Sequence, residues 1–156
     1  MDNSVNIVPS EAGDVFELKD NLRTEDIQEC QAAGLTPVQA LLDAYVLSEL
    51  CYSAKVNGRT EAMFGVSSFN QPEGYGAVWY LGSDESFKHP IALVKGGRKY
   101  VEKWLQKFKV LYNRVDARNL RHIEWLKCVG FSFTDSTDIN GYEFFNFYIN
   151  KEQLNV

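Results

Sequence analysis

The chain has 156 residues, a net charge of −5, 45% apolar content and 13% aromatic content, enough to bury roughly two thirds of its unfolded surface in one domain spanning 1–156 and too apolar for disorder. No apolar run approaches the ~20 residues of a bilayer-crossing helix, and the acidic start MDNSVNIVPSEAGDVFELKD lacks the basic and apolar regions of a signal or transit peptide. Cys30, Cys51 and Cys128 are odd in number and widely spaced, which reads as reduced thiols in a cytosolic protein and gives neither a disulfide framework nor a zinc site.

The net charge hides an asymmetry. Lys88 to Lys127 holds eleven of the sixteen Lys and Arg residues against three acids, a local net of +8, leaving the rest of the chain at −13. A basic segment in an acidic protein suits an anionic ligand or an acidic protein face, and equally a solvated helix surface.

In chain order, Val5 to Val8 is a short strand ended by Pro9-Ser10. Asp14 to Leu22 predicts a helix with Val15, Phe16, Leu18 and Leu22 on one side. Thr24 caps a second helix through Ala33, with Glu25 and Asp26 favourably placed in its first turn and Gly34 at its end. Thr36-Pro37-Val38-Gln39 is a capping box with proline at the first helical position, opening a helix over Pro37 to Leu47. The period then becomes two. Leu50 to Val56, the Asn57-Gly58 turn and Ala62 to Val66 form a hairpin, and Gly76 to Leu81 makes a third, more apolar and so more central strand.

A long helix follows, from about His89 to Phe108, with Lys95, Lys99, Lys103 and Lys107 on one face. Gly96-Gly97 inside it costs about 2 kcal/mol of helix propensity, so something approaches closely there or the helix breaks. Val110 to Val115 is a strand. Asn119 caps a helix whose Leu120, Ile123, Leu126 and Val129 form a core stripe, and Gly130 suits the left-handed position at its end. Phe131 to Phe133 is a strand, Thr134 to Gly141 a turn, and Tyr142 to Ile149 a last alternating strand whose aromatics would be an interface if left uncovered.

Asn119 to Phe131, NLRHIEWLKCVGF, resembles the second conserved segment of the GNAT (Gcn5-related N-acetyltransferase) fold, N-x-x-A-I-x-x-Y-x-x-x-G-F, at Asn119, Ile123, Gly130 and Phe131. More narrowly, Leu22 to Gly34, Gly76 to Gly82 and the Asn119–Phe131 helix resemble the GNAT-related internal virion proteins of podovirus-type bacteriophages. The resemblance implies a three-layer α+β fold: a mostly antiparallel mixed sheet of six or seven strands with helices on both faces. It also implies a protein of the host cytoplasm, packaged in the virion or acting on a phage or host protein.

Two departures bear on activity. A working GNAT holds the pyrophosphate of acetyl-CoA on a Q/R-x-x-G-x-G/A loop after its fourth strand. Here that place reads Gly82-Ser83-Asp84-Glu85-Ser86-Phe87-Lys88-His89, and the nearest glycine pair, Gly96-Gly97 beside Arg98, would cradle phosphate only if a loop or short turn preceded it. The tyrosine that many members use as a general acid falls at Leu126. If acetyl-CoA binds, the resemblance places it along Val78, Trp79, Tyr80 and Leu81, with Gly96, Gly97, Arg98 and Asn119 as further contacts and no metal.

His89 and Tyr112 are the candidate catalytic groups. His122 and Glu61 read as exposed, and Trp79, Tyr80, Tyr100, Trp104 and Trp125 read as core before base-stacking surface. Three functions stand: a catalytically silent GNAT scaffold that works by binding, which the two departures favour; an acetyl-CoA-dependent N-acetyltransferase; and a nucleic-acid or protein binder using the Lys95–Lys109 face. No contact with a membrane is expected.

Overall fold

A computed structural model of the chain describes residues 5–154. Seven strands, β1 (Val5–Pro9), β2 (Leu50–Val56), β3 (Arg59–Ser67), β4 (Tyr75–Gly82), β5 (Val110–Asp116), β6 (Ser132–Ile139) and β7 (Tyr142–Asn150), form one sheet in the order β1-β2-β3-β4-β5-β7-β6. The helices are α1 (Ala12–Leu18), α2 (Thr24–Ala32), α3 (Pro37–Leu47), α4 (Pro90–Trp104), α5 (Leu120–Val129) and α6 (Lys151–Leu154), with a 3-10 segment at Asp84–Lys88. Every strand pair is antiparallel except β4 with β5. The α+β mixed sheet with helices on both faces is therefore as the element order implies.

Strand alternation sorts the core into two layers. On one face Val78 of β4, Leu111 and Val115 of β5 and Phe147 and Ile149 of β7 pack against Val101, Trp104 and Leu105 of α4 and Ile123, Leu126 and Val129 of α5. On the other, Met63 and Leu81 meet Val15 and Leu18 of α1, Cys30 of α2 and Leu41 of α3. Each such side chain contributes about 1.5–3 kcal/mol when fully buried. The aromatic residues expected in the core sit there: Tyr80 and Trp104 are buried, and Trp79, Tyr100 and Trp125 pack against the clusters.

The capping box at Thr36 and Gln39 is formed, and Asn57-Gly58 turns β2 into β3 with both residues at positive φ. Gly130 ends α5 at φ 125°, a conformation that a side chain would strain, and its N–H returns to the Leu126 carbonyl. Several boundaries differ from the sequence pattern. The first helix ends at Leu18, four residues early, and α4 ends at Trp104. The polar run after Phe133 is strand as far as Ile139, because each residue pairs with or lies beside aromatic β7; only Asn140-Gly141 turns. β7 itself lies inside the sheet, between β5 and β6; Phe144 and Phe147 are buried in the core, Phe145 and Tyr148 are half-buried and Tyr142 is exposed.

Two helix starts depart from the expected caps. Arg23, not Thr24, occupies the N-cap of α2. Asn119 stands at the N-cap of α5 without a side-chain capping bond, since its amide is used elsewhere.

The mid-helix glycines split. A Cβ on Gly97 would lie 2.7 Å from Val129 Cγ2 and 3.1 Å from the Trp125 ring, so the glycine lets α4 close on α5; a Cβ on Gly96 would meet nothing within 4 Å. Gly97→Ala should therefore cost about 1–3 kcal/mol through overpacking, whereas Gly96→Ala should gain up to about 1 kcal/mol of helix propensity. Urea denaturation of the two variants checks the opposite signs.

Candidate functional site

β4 and β5 pair only over Tyr75–Ala77 with Val110–Tyr112. Beyond that point the strands part, and Val78 to Gly82 of β4 have no β5 partner. Asn113 caps the fork. Its Nδ2 donates to the Val78 carbonyl at 2.6 Å and its Oδ1 accepts the Arg114 N–H at 2.8 Å, satisfying one acceptor and one donor where the ladder stops.

A cavity of about 590 Å³ opens at this fork, within the range of small-molecule sites. It is lined from both faces of the sheet: Val78 and Tyr80 with α4 and α5 on one side, and Trp79 and Leu81 with Glu29 and Cys30 of α2 and Ala33 just after it on the other. The parted strands thus give a passage through the sheet.

The far end of the fork is held by a buried polar network. Arg23 and Asp26, 1% and 0% exposed, sit in a shell with Asn119, also 0% exposed. Arg23 Nη1 donates to Asp26 Oδ1 at 3.3 Å and its Nη2 to Asn119 Oδ1 at 3.1 Å, while Asn119 Nδ2 donates to Asp26 Oδ1 at 2.9 Å. The Gly82 N–H donates to Asp26 Oδ2 at 3.0 Å, and the Arg23 N–H to the Gly82 carbonyl at 2.9 Å. Phe87 lies 4.2 Å from the Arg23 guanidinium. One network therefore ties α2, the end of β4 and the start of α5. Burial pushes the Asp26 carboxyl up to about 6, although Arg23 opposes the shift.

Glu29 reaches the same region, accepting the Asp116 N–H at 2.8 Å. Burial raises its carboxyl to about 8, with the neighbouring Asp26 and Asp116 charges acting in the same direction. Asp116 is itself held bidentately by Arg118 at 3.0 and 2.7 Å.

After β4 three backbone donors are committed within the chain. The Gly82 N–H goes to Asp26, the Ser83 N–H to the Glu61 carbonyl at 2.8 Å and the Ser86 N–H to the Ser83 carbonyl at 3.2 Å. Carboxylates surround them. Glu61, expected to be exposed, is 6% exposed, accepts from the Ser83 hydroxyl and pairs with Arg59 at 3.2 Å. Glu85 pairs with Lys88 at 2.8 Å. Hydrogen-bonding to Ser83 is what turns Glu61 inward, against the alternation that suggested a solvent position.

The candidate residues divide. Val78, Trp79, Tyr80, Leu81, His89, Gly96 and Gly97 line the cavity. Tyr112 does not: it lies on the paired side of the fork, with its hydroxyl on Gln71 and its ring 5.5 Å from Tyr75. Gly96 and Gly97 stand in the interior of α4, which begins at Pro90 directly after the 3-10 segment, so the loop that a phosphate cradle would need does not precede them. Arg98 donates to the Cys128 carbonyl at 3.2 and 2.8 Å, closing the end of α5. Asn119 is enclosed in the network, and Leu126, in the position of the tyrosine, is core at 2% exposure.

His122 was expected on the exposed side of its helix, and the structure corrects this. It is 6% exposed, 5.8 Å from Tyr80 and 5.5 Å from Trp125, and burial together with the Arg23 charge pushes it down to about 3, so it is neutral. Sequence reasoning also missed Arg23, Asp26, Glu29 and Asn113. A polar Asn inside the run Val-Leu-Tyr-Asn-Arg-Val was the one available signal for the fork. Among the described residues no group of His, Cys, Asp and Glu is placed to hold a metal, and no helix is long and apolar enough to cross a membrane.

No protein-family profile matches the chain, and no curated protein sequence matches it. Solved structures do. The aminoglycoside acetyltransferase AAC(6')-Ib in complex with ribostamycin and coenzyme A aligns at TM-score 0.72 and 13% identity over 97% of this chain and 96% of that one. A GNAT-family acetyltransferase from Bacillus anthracis aligns at TM-score 0.72 and 8% identity over 95% of each chain. A spermidine N-acetyltransferase SpeG chimera from Vibrio cholerae aligns at TM-score 0.68 and 13% identity over 96% and 97%. At these identities the likeness establishes the fold, which is GNAT-like.

Two outcomes are expected at the network. Arg23→Met, which leaves Asp26 and Asn119 buried without their donor, should destabilise the protein by about 3 kcal/mol or more at neutral pH, read as a shift in denaturation midpoint. Glu29 binds its proton more tightly folded than unfolded, so it favours the folded state below its ordinary value of 4.5 and progressively loses that contribution as pH rises toward 8. Glu29→Gln keeps the acceptor for the Asp116 N–H and removes the titration. It should be near neutral in effect at pH 5 and stabilising, on the order of a kcal/mol, at pH 8, as stability measured across that range would show.

Proposed function

We propose that the chain is a GNAT-like scaffold that acts by binding a protein partner, in the assembly or particle of a podovirus-type phage or on a host protein in the host cytoplasm, without transferring acetyl groups. One observation carries the reading: in the turn after β4 the Gly82, Ser83 and Ser86 N–H groups bond within the chain, and the Asp26, Glu61 and Glu85 carboxyls stand beside them. A pyrophosphate there would find those three donors taken and would meet carboxylates at close range, which costs on the order of kcal/mol in a partly dry site. The residues present do not fit that end of acetyl-CoA. Leu126, which cannot give up a proton, supports the same reading.

The lysines of α4 and the turn after it, Lys95, Lys99, Lys103 and Lys109, are exposed on one side of the molecule. They suit an acidic protein surface, and nucleic acid is the less favoured partner.

A second reading, acetyl-CoA-dependent N-acetyl transfer to a host or phage protein, is favoured by the passage through the sheet at the β4–β5 fork. Glu29 in its lining is a carboxyl that exchanges its proton near neutral pH. In this reading His89 and the β4 residues Val78 to Leu81 remain the contacts to test.

Calorimetric titration with acetyl-CoA separates the two. The scaffold reading expects no heat at millimolar ligand; micromolar affinity would overturn it in favour of the enzyme.

A further inference from the structure

Buried polar side-chain atoms are almost always hydrogen-bonded, so clustered exceptions in one cavity point to a ligand. On the α4–α5 side of the fork, Tyr80 Oη, Trp104 Nε1 and His122 Nδ1 are buried with no hydrogen-bond partner among the described residues. Their residues are 6%, 4% and 6% exposed, and all three line the cavity. The Ser86 hydroxyl donates to the Ser83 carbonyl at 2.6 Å and keeps lone pairs that can accept from Tyr80, so Trp104 Nε1 and His122 Nδ1 weigh most. The three belong to one continuous aromatic wall: Phe64 stands 6.1 Å from Trp104 and 6.4 Å from Tyr80, and Tyr80 stands 5.8 Å from His122.

The chemistry of the unpaired atoms narrows the ligand. An indole N–H donates only, and a phenol O–H donates readily, so they ask for oxygen acceptors. A cation offers none. An anion would give up its hydration against an apolar wall, beside the Glu29 and Glu61 carboxyls that line the same cavity. The remaining wall is apolar, with Leu93, Val101 and Val129 beside the rings. What fits is an uncharged, chain-like apolar body carrying carbonyl or hydroxyl oxygens.

We infer that the α4–α5 side of the cavity is a binding site for a neutral amphiphile of the fatty alcohol or fatty amide class, its oxygen accepting from Trp104 or Tyr80 and its chain lying along the aromatic wall. This rests on the scaffold reading only in that both leave the nucleotide end of the cavity unused. The ligand would stabilise the packing of α4 on α5 and so couple its binding to the lysine-bearing face of α4.

Tryptophan fluorescence of the full chain, titrated with decanol and decanamide at pH 8, tests the site. Both should give a saturable change, and decanoate should bind at least about tenfold more weakly because its carboxylate would lose its hydration in a mostly apolar cavity. Trp104→Phe keeps an aromatic ring, though a smaller one, and removes the N–H. It should weaken decanamide by about threefold to tenfold if the oxygen lies there; if not, Tyr80→Phe should do so. No saturable response to either neutral probe would overturn the inference, as would equal affinity for decanoate, or both variants binding decanamide unchanged. The comparison of probes on the unaltered chain stands even if a variant folds poorly. Acetyl-CoA in the same assay reports on the scaffold reading alone: its binding would overturn that reading while the response to neutral probes still decides the site.

Discussion

The parting of β4 from β5 is the constraint on which the rest of the structure depends. A parallel pair that bonded along its whole length would leave no cavity, because strands about 4.8 Å apart admit nothing between them. Here pairing stops after Ala77 and Tyr112, and two devices hold the strands at either end of the gap. Asn113 takes over the ladder's role at the near end. At the far end Asp26 and the Arg23 backbone hold Gly82. The opening is held on both sides, not merely unfilled.

The same devices decide what the opening is for. Holding Gly82 with a carboxylate and Ser83 with the Glu61 carbonyl occupies two of the amide donors at the end of the strand. Those are the groups through which a strand-to-helix turn binds phosphate. The network that holds the fork therefore also competes for donors that an anion would use, which is what the proposed binding role rests on. The aromatic wall behind the fork then defines a different kind of ligand.

The packing of α4 on α5 shows how close the structure runs to overfilling. Gly97 lets the helices approach, and Trp125 and Val129 occupy the space that a side chain would have taken. Trp125 Nε1 also donates to the Leu93 carbonyl at 3.0 Å, locking the two helices across the cavity. Close approach and a cross-helix bond together give the aromatic wall a rigid backing. Rigid backing matters because a site is only as specific as the geometry that holds its polar groups.

Much of the fold was legible in the residues themselves. Thr36 to Gln39, Asn57-Gly58 and Gly130 carry local conformational preferences strong enough to place a helix start, a hairpin and a helix end, and period alone separated helices from strands. These are short-range effects, acting over three or four residues. Inward or outward orientation of a polar side chain is not. Asp26 reads as a helix-dipole residue, Asn119 as a cap, and His122 and Glu61 as solvent-facing, yet all four are buried: Arg23, Asp26 and Asn119 bond one another across up to 96 positions, Ser83 bonds Glu61, and His122 packs against Tyr80 and Trp125. The strand-helix-strand order determined the scaffold by itself, because it follows from local pattern. Whether the fork opens, and which donors remain to meet a ligand, was decided only when α2, β4 and α5 came together.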